Sequence, residues 1–349
     1  MTSMKLGLLL RYHGETGGPN MDLVLEAEKL GYSQVWQGES YGIDSVSPIA
    51  WALARTTKIK CGTGIMQIPA RTPACAAMTA MTMNAMSGGR FLMGLGPSGP
   101  QVIEGWHGVA YGKPLARTKE YIEIVRKVFA RENALAHKGE HYQIPYGGAG
   151  ATGLGKPLKS IMKPDRDIKI YTAAIAPNGL KTAGEVADGV QPIFVSPEKI
   201  DLITGPVREG MAAAGRATSL EHFDITPFVR VSMGPDLAKC RDAIRPELAL
   251  YVGGMGAKTK NFYNDYAKRL GYADAAVKIQ DAFLAGRRDE AMAAIPDKMI
   301  DEIALIGPPD RIKGRLKDWK AASAGGAIGT MLLSAGSVDV LRLAAEAVG

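Results

Sequence analysis

Three cysteines, Cys61, Cys75 and Cys240, are all that the 349 residues contain, and none stands in a CxxC pair or another metal-ligand spacing. A disulfide framework is therefore not expected, and neither is a bound metal. So few cysteines fit a reducing cytoplasm. Long apolar runs are also missing, since none approaches the about 20 residues that a membrane-spanning helix needs, and the N-terminus lacks the pattern of a secretory leader. We expect a cytoplasmic protein that does not enter the membrane.

Aromatic residues make up only 7% of the chain, and the net charge of +7 is not concentrated in any cluster of lysines and arginines. This composition does not favour a nucleic-acid partner, because such proteins carry basic patches. A phosphorylated or carboxylated small molecule would account for the positive surplus, and so would solubility alone. We expect a small-molecule substrate.

The familiar catalytic motifs are absent too: there is no Ser-His-Asp order, HExxH or P-loop lysine. Residues 94–99 match the pattern Gly-x-Gly-x-x-Gly, but a dinucleotide-binding turn needs a helix directly at the glycines and an acidic residue about 20 positions on, at the end of the next strand. Pro97 and Pro100 interrupt the helix start. Glu120 and Glu123, which lie near the right distance, fall in an amphipathic run instead. The match is therefore weak evidence for a nucleotide site.

What the chain does have is a regular alternation of apolar runs and helical patterns. Eight runs are predicted to be strands: 5–10, 33–37, 59–65, 91–95, 168–173, 189–193, 223–233 and 330–334. Helical spacing follows each of them, and 235–304 is predicted to be mostly helical. Because parallel neighbours need helical crossovers, this order predicts an α/β fold, a (β/α)₈ TIM barrel. In the helix predicted for 73–86, Met78, Met81, Met83 and Met86 are expected in the core.

We treat 1–349 as a single domain with an insertion at 131–167. The insertion is rich in glycine, proline and lysine, and compact domains seldom carry so long a loop without a use for it. We interpret it as a lid or a wall of the functional site.

The loops after the strand ends build the site in this fold. Side chains there that could move a proton or contact a substrate are Tyr12, His13, Glu39, Ser40, Glu104 and His107. Glu39 follows its strand directly, which is a frequent position for a ligand-contacting carboxylate; the alternative is a salt bridge to Arg11 or Arg71.

A second candidate is the segment Ala174, Ile175, Ala176, Pro177 and Asn178, which leads into a predicted helix. The exposed N–H groups of a helix start and the helix dipole favour an anion, so this segment predicts a phosphate site. A plain helix start primed by a proline is the alternative.

Three stretches, 62–73, 94–108 and 182–189, together resemble the bacterial-luciferase-like superfamily of flavin and deazaflavin proteins. Within it, the chain is most similar to the coenzyme F420-dependent oxidoreductases related to methylenetetrahydromethanopterin reductase, and the similarity extends from Lys5 to the final helix. The resemblance implies a luciferase-like TIM barrel with an insertion, coenzyme F420 as cofactor and a homodimer or higher homo-oligomer.

The resemblance also implies roles for individual residues. It implies a non-proline cis peptide bond at Gly64–Ile65, behind the central ring of the deazaflavin. The residues that it implies for the ring and ribityl chain are Glu39, Thr63, Gly64, Ile65 and Ser98, with Gly96 and Gly99 in the same loop as Ser98. The segment 174–178 would hold the phosphate. From their positions near the strand ends, and not from the resemblance, Tyr12, His13, Ser40 and His107 are expected to meet the substrate.

One departure from the superfamily affects the predicted reaction. Its sugar-phosphate dehydrogenases end the second strand with an Asp-His pair whose histidine is the catalytic base, whereas this chain has Glu39-Ser40. Alcohol oxidation is therefore disfavoured. We expect hydride transfer between F420 and an activated C=C, C=N or C=O, with the proton supplied by Glu39, by Glu104 or by a bound water.

Two alternatives stay open. One is an FMN-dependent monooxygenase of the same superfamily, in which reduced flavin activates oxygen. The other is a protein that binds a flavin without catalysis. The loop 96–99 and the basic character of the chain favour the more acidic F420 over FMN.

Overall fold

The computed structural model describes residues 4–10 and 19–349. The strands of this part of the chain are β1 Lys5–Leu10, β2 Gln34–Gln37, β3 Lys60–Thr63, β4 Met66–Gln67, β5 Phe91–Gly96, β6 His137–Lys138, β7 Gln143–Ile144, β8 Ile170–Ala173, β9 Gly189–Gln191, β10 Asp224–Ile225, β11 Phe228–Met233, β12 Ala304–Gly307 and β13 Thr330–Ser334.

The α-helices are α1 Met21–Lys29, α2 Val46–Arg55, α3 Pro73–Met86, α4 Pro100–Gly105, α5 Pro114–Ala130, α6 Pro177–Val186, α7 Asp201–Ala213, α8 Leu237–Asp242, α9 Arg245–Ala249, α10 Phe262–Arg269, α11 Ala273–Leu284, α12 Arg288–Ala293, α13 Asp297–Ile303, α14 Pro309–Ala322 and α15 Val338–Val348. No helix in 4–10 or 19–349 is both long enough and apolar enough to cross a membrane.

The main sheet is a parallel barrel. Its strands lie in the order β10-β9-β8-β5-β3-β2-β1-β13-β11, and a parallel bridge between Ile193 and Phe228 joins the end of the β9 segment to β11. The predicted (β/α)₈ architecture is therefore confirmed. The run 223–233 is divided into β10 and β11 at Thr226-Pro227, because a proline has no N–H to donate to a neighbouring strand.

Strand β12 and helix α4 are two of the elements that the sequence patterns did not predict. Strand β12 begins at the last residue of the stretch 235–304, which was predicted to be mostly helical, and it pairs with β11 beside the barrel. Its four buried residues follow α13 without a break, and so short an apolar run cannot be told from the end of a helix. Helix α4 begins at Pro100, so this proline starts a helix instead of interrupting one. The dinucleotide-binding interpretation still fails, because Glu120 and Glu123 lie in α5.

The insertion 131–167 contains a small antiparallel hairpin, β6–β7. The carboxylate of Glu120, on α5, accepts the backbone N–H groups of Glu140, His141 and Tyr142, and so fixes the hairpin turn against this helix. Most of the segment from residue 145 onward is exposed and forms neither helix nor strand. Its role as a lid or wall stays a prediction.

Large side chains fill the middle of the barrel. Trp36, Leu92 and Tyr171 belong to the interior cluster, and the ring of Tyr171 meets that of Trp36 edge-on at 4.9 Å. At the N-terminal end of the strands, buried Asp224 accepts hydrogen bonds from Tyr171, Gln34 and Thr330. The C-terminal ends of the strands carry smaller residues. The candidate site lies at this end.

The prediction that all four methionines of α3 lie in the core is half wrong. Met81 and Met83 are buried, but Met78 is 60% exposed and Met86 is 81% exposed. Because α3 is apolar on nearly every side, its residue spacing could not show which face points outward.

Candidate functional site

The floor of the candidate site is a cradle of glycines at the C-terminal ends of β3 and β5. The peptide bond between Gly64 and Ile65 is cis, as the resemblance implied, and Gly64 N–H donates to the Gln37 carbonyl at 2.7 Å. Residues two apart on a strand face the same side, so Gly94 and Gly96 share the interior face of Leu92. A Cβ on Gly96 would lie 2.7 Å from Ile65 Cδ1, and one on Gly94 would lie 1.9 Å from the Thr63 carbonyl oxygen.

Glu39 lies beside this floor and is paired with Arg71. The guanidinium contacts both carboxylate oxygens, at 2.6 and 2.9 Å. The same carboxylate accepts the backbone N–H and the hydroxyl of Ser45, and the N–H of Gln67. The alternative raised from the sequence, a salt bridge to Arg71, is the arrangement that the structure has.

This environment keeps Glu39 ionised. Burial by itself would raise the pKa of Glu39, but the hydrogen bonds from Arg71, Ser45 and Gln67 and the positive charge of Arg71 outweigh it, so the pKa lies below its ordinary value. For Arg71, burial would lower the pKa, and the pairing with Glu39 raises it. An ionised carboxylate that already accepts five hydrogen bonds is poorly suited to donate a proton. The geometry therefore argues against Glu39 as the acid.

The side chain of Gln67 joins three loops above the floor. Its Nε2 donates to the Ser40 carbonyl at 3.1 Å and to Ser98 Oγ at 3.2 Å, while its Oε1 lies 2.6 Å from His107 Nε2. A carbonyl can only accept, so the Ser40 contact assigns the amide nitrogen of Gln67, and Oε1 must then accept from His107. His107 consequently donates from Nε2, which leaves Nδ1 as its second ring nitrogen.

Ser98 is held by its backbone as well. It has a positive φ of 56°, which is uncommon for a residue other than glycine. The hydroxyl of Tyr111 donates to its carbonyl at 3.1 Å. These contacts direct the loop after β5 toward Gln67, so Ser98 lies in the same group as Ser40 and His107.

A cleft of about 230 Å³ opens onto this group. Its lining residues are Glu39, Ser40, Tyr41, Gly42, Asp44, Gln67, Ala70, Arg71, Trp106 and His107. The structure thus brings together three residues predicted from the sequence, Glu39, Ser40 and His107. A larger cavity of about 530 Å³ lies elsewhere, between α5 and the β6–β7 hairpin, away from the glycine floor.

Other predicted residues lie apart from the cleft or outside the described chain. Glu104 is exposed on α4, where its carboxylate accepts the Tyr111 N–H at 3.2 Å, and it does not line the cleft. The Thr63 hydroxyl is buried and bonded to the backbone of Gly94, so only the backbone of Thr63 is available to a ligand. Tyr12 and His13 lie outside the described residues.

The segment 174–178 connects β8 to α6. Ala176 is the N-cap of α6 and Pro177 its first helical residue, and the cap makes no side-chain hydrogen bond to the helix. Arg269 Nη2 donates to the Ile175 carbonyl at 3.0 Å, which places a guanidinium beside the segment. Exposed N–H groups and a nearby positive charge are suited to an anion. The phosphate site at this helix start stays a prediction.

A further polar group faces the floor and was missed. Gln191, at the end of β9, is only 3% exposed, and neither its Nε2 nor its Oε1 has a hydrogen-bond partner in the described chain. Gln67 was overlooked in the same way. A glutamine bordered by apolar residues looks alike in sequence whether it is buried or exposed, so only the fold distinguishes these two.

Among residues 4–10 and 19–349, no group of three or more histidine, cysteine, aspartate or glutamate side chains is placed to hold a metal ion.

Comparison with known proteins agrees with the fold and extends over nearly the whole chain. The family model described as luciferase-like monooxygenase matches residues 4–325. A protein of Mycobacterium tuberculosis, named provisionally as a coenzyme F420-dependent oxidoreductase, is 42% identical over 341 residues, 97% of this chain and 97% of that protein. The 5,10-methylenetetrahydromethanopterin reductase of Methanolobus tindarius is 30% identical over 294 residues, 84% of this chain and 83% of the reductase.

A solved structure gives the same fold. The coenzyme F420 dependent tetrahydromethanopterin reductase from Methanopyrus kandleri superposes with a TM-score of 0.75 at 22% identity, covering 99% of this chain and 98% of that one.

Proposed function

Because the chain belongs to the luciferase-like monooxygenase family, we propose that it is a coenzyme F420-dependent oxidoreductase. In this proposal it transfers a hydride between the deazaflavin and an activated C=C, C=N or C=O of a small organic substrate. The observation that carries the proposal is the polar group at the C-terminal strand ends, where Gln67 connects Ser40, Ser98 and His107 beside a cleft of about 230 Å³. The 42% identical relative supports F420 as the occupant.

The residues present fit the deazaflavin ring. The side chain of Ile65 packs against Gly96 and the buried carboxamide of Gln191 lies beside Gly64, so a planar heterocycle at these strand ends would meet an apolar side chain and an amide. The predicted phosphate segment 174–178 follows β8, the neighbour of β5 in the barrel. A cofactor with a ring, a chain and an anionic end would thus have a binding element for each part.

The chain's own residues would orient the reactants and move the proton. When bound, the deazaflavin supplies a hydride from its central ring. Glu39 and Arg71 hold the loop after β2 against that of β4, and Gln67 ties Ser40, Ser98 and His107 into one wall. We assign the proton to His107, through Nδ1, or to a water between His107 and Ser40. Glu39 keeps its negative charge throughout.

A binding titration tests the cofactor. Purified apoprotein is titrated with F420 and, separately, with FMN, and quenching of each cofactor's fluorescence is followed. We expect F420 to bind at micromolar concentration or tighter and FMN to bind more weakly. Tight FMN binding, with oxygen consumption in the presence of reduced FMN, would contradict the proposal and favour the monooxygenase. Tight binding of either cofactor without turnover on a broad substrate panel would favour the non-catalytic alternative.

Two matched variants place the binding site in the same experiment. Gly96→Ala places a methyl group 2.7 Å from Ile65 Cδ1, so the Ile65 side chain must shift toward the proposed ring, and we expect F420 binding to weaken at least about tenfold. Gly105→Ala, on α4, adds the same methyl group where nothing lies within 4 Å, and it should leave binding unchanged. Equal affinities of the two variants would place the ring elsewhere.

We also propose that the protein forms a homodimer through the exposed face of α3. Met78 and Met86 project from this face, and Ile161 of the insertion is 98% exposed close by, where Met162 Sδ contacts Thr82 of the same helix. Large apolar side chains grouped at a surface are typical of an interface. A second copy of the chain is the occupant that the family resemblance implies.

Light scattering after gel filtration tests the dimer. The wild-type protein is expected at twice the 37.1 kDa chain mass. The double variant Met78→Lys and Met86→Lys should elute as a monomer, because two charges would be buried unpaired at the interface. Val277→Lys, which changes an exposed apolar residue on α11, should remain a dimer. A monomeric wild type, or a dimeric double variant, would refute this interface.

A further inference from the structure

We propose that Gln191 recognises the amide edge of the cofactor's pyrimidinedione ring, with Nε2 donating to a ring carbonyl oxygen and Oε1 accepting from the ring N3–H. This inference rests on the proposed function, since it assumes a deazaflavin or flavin ring on the floor at Gly64. It assigns a specific contact to a residue that no sequence motif and no predicted site had included.

The fold places the Gln191 side chain inside the barrel. Gly189, two residues earlier on β9, faces the interior, because a Cβ on it would lie 2.4 Å from the Tyr171 ring. Residues two apart share a face, so Gln191 projects inward as well. A Cβ on Gly64 would lie 3.3 Å from Gln191 Oε1, so the carboxamide borders the glycine floor itself.

The carboxamide of Gln191 is left unpaired by the described residues, 4–10 and 19–349. Buried polar groups nearly always have hydrogen-bond partners, and a carboxamide left without any loses its hydration and gains nothing in return. Among the described residues, neither amide atom of Gln191 has a partner, and the residue is only 3% exposed. A hydrophobic side chain of the same length would fill the space without that cost. The presence of glutamine here is therefore explained by a ligand that pairs with it.

The pyrimidinedione ring has the required complement. Its edge presents a carbonyl oxygen next to an N–H, which is the donor and acceptor pattern that a carboxamide matches with two parallel hydrogen bonds. The deazaflavin and the flavin share this edge, so Gln191 would position the ring without choosing between F420 and FMN. It would also exclude rings whose N3 carries a substituent.

The test compares two ligands and two proteins. The ligands are 5-deazariboflavin and its N3-methyl derivative, and the proteins are the wild type and Gln191→Met, which keeps the chain length and removes both amide atoms. We expect N3-methylation to weaken binding to the wild type about 10- to 100-fold, and Gln191→Met to weaken binding of the unmethylated ligand by a similar factor. In the variant, methylation should have no further effect, because the contact is already lost.

Thermal unfolding of the apoprotein distinguishes a ligand-binding role of Gln191 from a structural one, because replacing a structurally important residue would lower the unfolding temperature. Gln191→Met should raise the unfolding temperature of the apoprotein while it weakens ligand binding. Thr172→Val is the matched control. Its hydroxyl is also buried and finds no partner in the described part of the chain, but Thr172 follows the inward-facing Tyr171 and so lies on the opposite face of the barrel wall. This control should raise the unfolding temperature and leave binding unchanged.

The outcomes separate this inference from the proposed function. If the wild type binds F420 and Gln191→Met binds it equally well, or if the wild type binds both deazariboflavins alike, the Gln191 assignment is overturned and the proposed function stands. The wild-type comparison of the two ligands holds even if the variant fails to fold. If the wild type binds neither F420 nor FMN, the proposed function is overturned and the assignment with it.

Discussion

Replacing Gly94 with alanine is expected to destabilise the protein by more than about 4 kcal/mol, enough to leave most of the chain unfolded in moderate denaturant. The added Cβ would lie 1.9 Å from the carbonyl oxygen of Thr63 and 3.1 Å from the ring of Trp36. The oxygen belongs to the backbone of the neighbouring strand, so it cannot move aside as the end of a side chain could. Strands β3 and β5 would have to separate at the centre of the barrel.

The same substitution at another position should have the opposite effect. Gly314 lies on the exposed side of α14, and a Cβ there would meet nothing within 4 Å. Because glycine in a helix interior is less favourable than alanine by about 0.5–1 kcal/mol, Gly314→Ala should stabilise the protein by about that amount. Comparing Gly94→Ala with Gly314→Ala separates the destabilisation caused by the close approach of two strands from the general effect of adding a methyl group.

Urea unfolding followed by circular dichroism measures both variants. The midpoint of Gly94→Ala should fall below that of the wild type by a large fraction of its value, or the variant should be recovered only as unfolded material. The midpoint of Gly314→Ala should rise. If Gly94→Ala unfolded within about 1 kcal/mol of the wild type, the packing of β5 against Thr63 could not be as tight as the structure has it.

Most of the fold could be predicted from the sequence, although the glycine stretch that contains Gly94 was misleading. Its Gly-x-Gly-x-x-Gly stretch looked like a nucleotide motif, but the structure gives each glycine a local packing reason: Gly94 contacts Thr63, Gly96 contacts Ile65, and Gly99 is the N-cap of α4. The eight barrel strands were predictable because each is a buried apolar run followed by helical spacing. Strand β12 was not, because its pairing with β11 depends on contacts between residues more than 70 positions apart.

The candidate site was predictable to a smaller extent. The resemblance indicated which strand ends form the site. In the structure, Gln67 makes hydrogen bonds there to four residues: Glu39, Ser40, Ser98 and His107. Which partner a polar side chain meets is set by loop geometry, and loop geometry leaves no periodic trace in the sequence. The pairing of Glu39 with Arg71, 32 residues later, changed the expected role of this carboxylate from proton donor to fixed anion.

Replacing Glu39 with glutamine is expected to destabilise the protein by about 2–3 kcal/mol. Breaking a fully buried ion pair costs about 3–5 kcal/mol, and the smaller figure applies here because the side chain of Arg71 retains 22% of its exposure. Glutamine keeps the shape of the side chain but turns an N–H₂ group toward donors that now lack an acceptor. Arg71 is left with its charge uncompensated, and the loops that it holds lose their anchor.

The loss should depend on pH in a defined direction. The pKa of Glu39 lies below its ordinary value in the folded protein, so between the two values the unfolded chain binds a proton that the native protein does not. The contribution of Glu39 is therefore complete above the unfolded-state pKa and disappears as the pH falls through the native pKa. The difference between the wild type and Glu39→Gln should be largest near neutral pH and should shrink toward acid.

The pH–rate profile distinguishes an anchoring role from an acid role. If Glu39 anchors the loops, Glu39→Gln should weaken cofactor binding and lower the rate at every pH, while the apparent pKa values of the rate profile stay where they are. Loss of one limb of that profile would instead make Glu39 the proton donor and overturn the assignment to His107. Glu132→Gln is the control, because its pair with Arg166 is exposed on both sides and should be worth less than about 1 kcal/mol. If Glu132→Gln lost as much stability as Glu39→Gln, the destabilisation would come from removing any negative charge, and not from breaking the buried Glu39–Arg71 pair.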